Sequence, residues 1–88
     1  MKIKVYKPAK QWLDENGVTT WPIWTKEVSK FDWFYDRTEV CYMLEGLVVI
    51  TSELETVEIK SGDLVTFPAG LECVWEVKKP VRKHYMFM

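Results

Sequence analysis

Glu39-Val40-Cys41-Tyr42-Met43-Leu44-Glu45-Gly46 and, a short spacer later, Gly62-Asp63-Leu64-Val65-Thr66-Phe67-Pro68-Ala69-Gly70 decide how this chain folds. Each is an apolar, β-prone run closed by glycine. The first belongs to the longest apolar stretch, Glu39 to Thr51, and predicts a strand that bends or bulges at Glu45-Gly46. The second predicts a short strand over Leu64 to Phe67, broken at a corner by Pro68-Ala69-Gly70.

Outward from these runs the pattern stays β. Met1 to Tyr6 alternates Ile3 and Val5 with lysines, as a half-buried strand does. Trp21 and Ile23 lead an extended run towards Val28, and Phe31 to Tyr35 is aromatic and β-prone. Ser52 to Glu55 and Ser61-Gly62-Asp63 are turn chemistry, flanking the alternation at Val57 and Ile59. Cys73, Trp75 and Val77 alternate with Val74 and Glu76. Lys78-Lys79-Pro80 predicts another turn, and Val81 to Met88 a last strand. Only Pro8 to Gly17 reads as helix, a short turn with Pro8 first, Asn16-Gly17 as its left-handed cap, and Trp12 and Leu13 as its anchor. Eight or more short strands with frequent turns predict an all-β domain, and so short a chain favours closure because an open sheet exposes edges.

At 88 residues the chain makes one domain, residues 1–88. A domain this size buries about 60–65% of its unfolded surface, so its core must be efficient. Aromatics, 15% of the chain, meet that need because each buries a large area; they also suit ligand pockets. The net charge of −1 and the lack of a sustained basic face exclude a nucleic-acid partner. No apolar run has membrane-spanning length, and the N-terminus lacks the apolar core of a signal peptide. Two cysteines without such a signal predict reduced thiols and a cytoplasmic location. Lys and Glu dominate the charges beside one Gln and one Asn, a skew reported for heat-adapted proteins.

The glycine segments resemble the two motifs of cupins. Glu39-x6-Gly46 is similar to the end of the first motif, and Gly62-x5-Pro68-x-Gly70 to the start of the second. The wider string resembles the cupin branch that contains the (S)-ureidoglycine aminohydrolase cupin domain. It runs through Trp21-Pro22-Ile23-Trp24, Phe31-Asp32-Trp33, Glu39, Cys73-Val74-Trp75 and Val81-Arg82-Lys83-His84-Tyr85. The likeness spans Val18 to Phe87 and extends to a stand-alone thermophilic member of uncertain function. It implies a small antiparallel jelly-roll-like cupin β-barrel with a short N-terminal helical turn, forming a homodimer. It also implies a small-molecule ligand and one divalent metal (Mn, Zn, Ni or Fe), if the usual ligands are kept.

They are kept in part. Where such motifs carry histidines, this sequence has Trp33, Tyr35 and Cys73, and Glu39 alone is unchanged. With no bulge intervening, Trp33, Tyr35, Arg37, Glu39, Cys41 and Met43 share one face, as do Cys73, Trp75 and Val77. Glu39 is then either a metal ligand or general acid/base, or a buried carboxylate paired with Arg37, Arg82 or Lys83 or hydrogen-bonded to Tyr35. Cys73, with Cys41, is a soft donor suited to zinc, or a small buried hydrophobe. His84 is the single histidine, a metal candidate or a satisfied structural residue. Lys83 is an alternative interior charge and, with Glu39, a catalytic candidate. Trp24, Trp33 and Trp75 either floor a pocket for a planar ligand or fill the barrel.

Three functions follow as expectations: a metal-dependent enzyme similar to ureidoglycine aminohydrolase, a metal-free small-ligand binder, or an accessory domain with a filled interior.

Overall fold

The computed structural model describes residues 1–88. Seven strands follow one another as β1 (Lys4–Tyr6), β2 (Ile23–Lys26), β3 (Ser29–Phe34), β4 (Glu39–Thr51), β5 (Thr56–Lys60), β6 (Leu64–Phe67) and β7 (Glu72–Phe87). A single helix, α1 (Lys10–Glu15), and a 3-10 turn at Val18–Thr20 lie between β1 and β2. All strand pairings are antiparallel. The architecture is the expected small cupin-like all-β fold.

Its spine is β4 against β7, paired from Glu39↔Phe87 to Thr51↔Val74. Beyond one half of this ribbon lie β6 and β1, beyond the other β5; β2 and β3 flank β7 in turn. The principal path runs β1-β6-β4-β7-β2 and does not close on itself. Closure expected from chain length is therefore incomplete.

The spine bends where glycine permits it. Before the bend Cys41 and Met43 point inward; after it Val48 and Ile50 do, all at 0–1% exposure. The inward phase thus switches from odd to even residues, which takes an irregularity in the ladder. Register shifts between Met43 and Val48 supply it. Gly46 adopts φ +115°, and a Cβ there would lie 2.7 Å from the Pro80 carbonyl oxygen and 2.9 Å from Val81 Cα. Only glycine lets the two strands cross so closely.

The same crossing corrects the turn expected at Lys78-Lys79-Pro80. β7 runs unbroken through it, because Pro80 sits at the irregularity, where no ladder partner needs an N–H. The two strands expected there are one, which leaves seven in total. At the N-terminus Gly17 takes the left-handed conformation as expected, φ 62°. Pro8 is not the first helical residue; Ala9 is the N-cap. Trp12 remains 39% exposed, and fully buried Val18 anchors the segment in its place. A helix of six residues cannot hold itself together, so that anchor matters. No helix is long and apolar enough to cross a membrane.

Candidate functional site

A pocket of about 200 Å³ opens between β2, β3 and the half of the spine that begins at Glu39. Its walls are aromatic: Trp24 from β2, Phe31 and Trp33 from β3, Trp75, Tyr85 and Phe87 from β7, with Tyr35 from the loop after β3. Alternation explains the set on β7, since Lys83, Tyr85 and Phe87 share one face. Trp75 stacks on Phe31 at 6.0 Å and meets Trp24 edge-on at 5.7 Å.

Tyr35 is held by its backbone as much as by its ring. Its N–H donates to the Leu71 carbonyl, and its carbonyl accepts from the Gly70 N–H. The Pro68-Ala69-Gly70 corner therefore fixes it. Its ring stacks on Phe67 with centroids 4.7 Å apart, and its hydroxyl accepts the Trp75 indole N–H at 3.1 Å.

Two charged groups line this otherwise apolar space. Lys83 Nζ donates to Glu39 Oε2 at 2.6 Å, and each side chain is 5% exposed. Three rings surround the ammonium: Trp75 at 4.8 Å, Trp24 at 4.9 Å and Phe67 at 5.8 Å from Nζ to centroid. Cation–π attraction and the carboxylate together replace the water the ammonium loses. Among the pairings open to Glu39, the fold selects Lys83. Arg82 lies outside, 4.0 Å from exposed Glu45, and Arg37 reaches over the Phe87 ring.

Burial keeps the Tyr35 phenol and both thiols in their neutral forms at physiological pH. Burial, then the Glu39 charge, raises the Tyr35 phenol above its ordinary value. The Cys41 thiol is pushed up to about 12, by burial first and also by the charge and hydrogen bond of Glu39, against the pull of Lys83. Burial pushes the Cys73 thiol up to about 11. No buried side-chain polar atom lacks a partner.

Residues 13–85 match the model of the EutQ-like cupin domain. The chain belongs to that cupin family. A DUF861-family protein of Thermotoga maritima is 53% identical, with a TM-score of 0.97 over 99% of this cupin and 100% of that chain. The EutQ protein of Clostridium difficile is 25% identical, with a TM-score of 0.68 over 74% of this cupin and 52% of that chain. A DUF861-family protein of Pseudomonas syringae is also 25% identical, with a TM-score of 0.68 over 75% and 29%. This cupin thus spans about half of the EutQ chain and under a third of the Pseudomonas one. A comparison with curated proteins finds no match.

The cupin gathers some of the residues expected at its site and separates others. Trp24, Trp33, Tyr35, Glu39, Trp75 and Lys83 line one pocket as expected. Cys41 does not line it: fully buried, it offers no surface. Cys73 is 6% exposed and borders a separate surface groove with Asp32 and Glu72. Trp33 is no interior residue either; it stands at the rim, 48% exposed. The shared face expected from Trp33 to Glu39 fails because β3 ends at Phe34 and a bend precedes β4, which resets the alternation and leaves Arg37 exposed.

His84 sits on the other face of β7 from Lys83. It is 6% exposed, and its Nδ1–H donates to the Trp21 carbonyl at 2.9 Å. The donors expected for a metal therefore do not converge. No three His, Cys, Asp or Glu side chains come together, and Glu39 is already engaged by Lys83. That donor set does not fit a divalent ion, which takes four or more ligands. Phe31, Tyr85 and Phe87 were not among the expected pocket residues. Tyr85 and Phe87 carried a usable signal, the two-residue spacing from Lys83.

Proposed function

We propose that this cupin binds a small, planar organic molecule without a metal ion, holding it between aromatic walls and the Lys83–Glu39 pair. The buried ion pair facing an apolar pocket carries the proposal. Specific small-molecule sites combine mostly apolar walls with a few convergent polar groups, and this pocket has that composition. Its volume of about 200 Å³ lies below the range for drug-sized ligands, which suits a ligand of about one ring. Ring faces favour a flat ligand by stacking. The ammonium offers N–H donors and Glu39 Oε1 offers an acceptor, so the ligand presents a polar group to the floor. With its charges balanced, the floor favours a neutral polar group over a free anion.

Metal-dependent hydrolysis of the ureidoglycine kind is set aside, because Glu39 is the single usual ligand retained and its partner is Lys83. The accessory-domain alternative is disfavoured by the open volume beside the pair.

A thermal-shift screen of small planar compounds on EDTA-treated protein tests the proposal. Hits are expected without added metal, with saturable stabilisation of about 2.7 kcal/mol at a hundredfold excess over Kd. Trp33→Ala removes a half-exposed rim ring and is expected to weaken those hits while leaving the ligand-free melting temperature near that of the parent. Hits that need a divalent ion, or that ignore Trp33→Ala, contradict it.

A further inference from the structure

We infer that Lys83 is a carbonyl-capturing amine: its Nζ forms an imine with a small aldehyde or ketone seated in the aromatic pocket, and Glu39 carries the protons. The inference rests on the pocket taking a small organic molecule, and adds a covalent step to it.

Other lysines show what sets Lys83 apart. Lys7 and Lys78 also have carboxylate partners, Asp63 and Glu76, but their side chains are 67% and 47% exposed. Water solvates their ammonium groups, and neither faces an apolar pocket. Lys26 lies over the Phe31 ring at 5.1 Å but has no carboxylate partner. Lys83 alone combines burial, three rings within 5.8 Å, a carboxylate at 2.6 Å and an open volume in front.

An amine attacks a carbonyl only with its lone pair free, so the ammonium must first lose a proton. Glu39 Oε2 is in hydrogen-bond contact with Nζ and can take it. The transfer is direct, because a 2.6 Å contact leaves no room for a water between the two groups. The Nζ lone pair then adds to the carbonyl carbon, and the C=O π pair moves to oxygen. A proton passes from nitrogen to that oxygen, giving a neutral carbinolamine. The nitrogen lone pair next forms a C=N double bond as the C–O bond breaks, and the hydroxyl leaves as water with the proton from Glu39. The products are an iminium on Lys83, one water and the Glu39 carboxylate in its starting form. No oxidant or reductant is needed. The iminium keeps the positive charge where the ammonium held it, inside the Trp24, Phe67 and Trp75 cage and beside Glu39. The aromatic walls limit water access and slow its hydrolysis.

Benzaldehyde with cyanoborohydride tests the step, because the hydride converts the imine into a stable benzylated lysine that peptide mapping locates. At neutral pH, Lys83 is expected to be benzylated at least about tenfold faster than Lys7 or Lys78 in the same molecule. Modification of Lys7 and Lys78 with Lys83 untouched, or no faster, overturns the inference, and that result needs no variant. In Glu39→Gln the amide can accept a hydrogen bond but cannot relay a proton. Lys83 benzylation is expected to fall by about tenfold or more while Lys7 keeps its rate. An unchanged or faster rate at Lys83 assigns Glu39 a structural role only and overturns the relay. Benzyl alcohol separates this inference from the binding proposal. If it perturbs the Trp24 and Trp75 indole resonances while Lys83 resists benzylation, binding stands and the imine falls. If it perturbs neither and Lys83 also stays unmodified, both fall.

Discussion

Lys83 Nζ and Glu39 Oε2 lie 2.6 Å apart on neighbouring strands, with neither side chain more than 5% exposed. Removing one member leaves an uncompensated buried charge. Lys83→Met and Glu39→Leu are each expected to lose about 3–5 kcal/mol of stability in urea unfolding. The double variant is expected to recover most of that loss, because apolar replacements of similar volume often match a buried pair. Additive single losses in the double variant count against coupling.

Tyr35 and Trp75 form a second buried relationship, with the indole N–H donating to the phenol oxygen. Tyr35→Phe keeps the ring stacked on Phe67 but removes that acceptor. A loss of about 1–3 kcal/mol is expected, the usual cost of a buried donor left unpaired. A loss below about half a kcal/mol means that water reaches the indole.

Gly46→Ala places a methyl group 2.7 Å from the Pro80 carbonyl in a backbone at φ +115°. Left-handed strain alone costs about 1–3 kcal/mol, and the clash adds to it. The variant is expected to unfold at least about 10 °C below the parent, at the roughly 4–8 °C per kcal/mol usual for a domain of this size. An unchanged melting temperature contradicts the crossing geometry.

The thiols link folding to alkaline pH. A free thiol ionises near 9.0, whereas in the fold Cys73 and Cys41 are pushed up to about 11 and about 12 by burial. Below pH 9 both states are protonated, and the full stability is present. As pH rises from 9 towards 12 the unfolded chain releases these protons first, so stability falls. Urea midpoints are expected to drop over that window, less steeply in Cys41→Ala. At pH 8 a disulfide reagent is expected to find no fast-reacting thiol until urea is added. Prompt reaction of one thiol contradicts its burial.

Much of the fold was legible because its signals are local. The glycine segments placed β4, its bend and β6, and two-residue alternation placed Cys73, Trp75 and Val77 on one inward face. The continuity of β7 was hidden, since Pro80 breaks strands except at a bulge, and the bulge is set by Gly46 on another strand. The site was half legible. Lys83 and Glu39 were each recognisable as interior charges, but Lys83 faces Met43 in the ladder, not Glu39. Their contact depends on a long side chain reaching along the strand, which no register predicts. Phe67 joined the ammonium cage through the packing of β6, and the bend after Phe34 moved Trp33 to the rim. Both are tertiary outcomes without a sequence period.

The most direct test of a metal-free pocket built on the Lys83–Glu39 pair is an amide and indole NMR titration of EDTA-treated protein with a library of small planar compounds. Binding predicts that at least one compound shifts the Trp24 and Trp75 indole resonances saturably, and that Lys83→Met abolishes the shift in protein still folded by its amide spectrum. Indole resonances that no compound moves, or that move only after a divalent ion is added, contradict it.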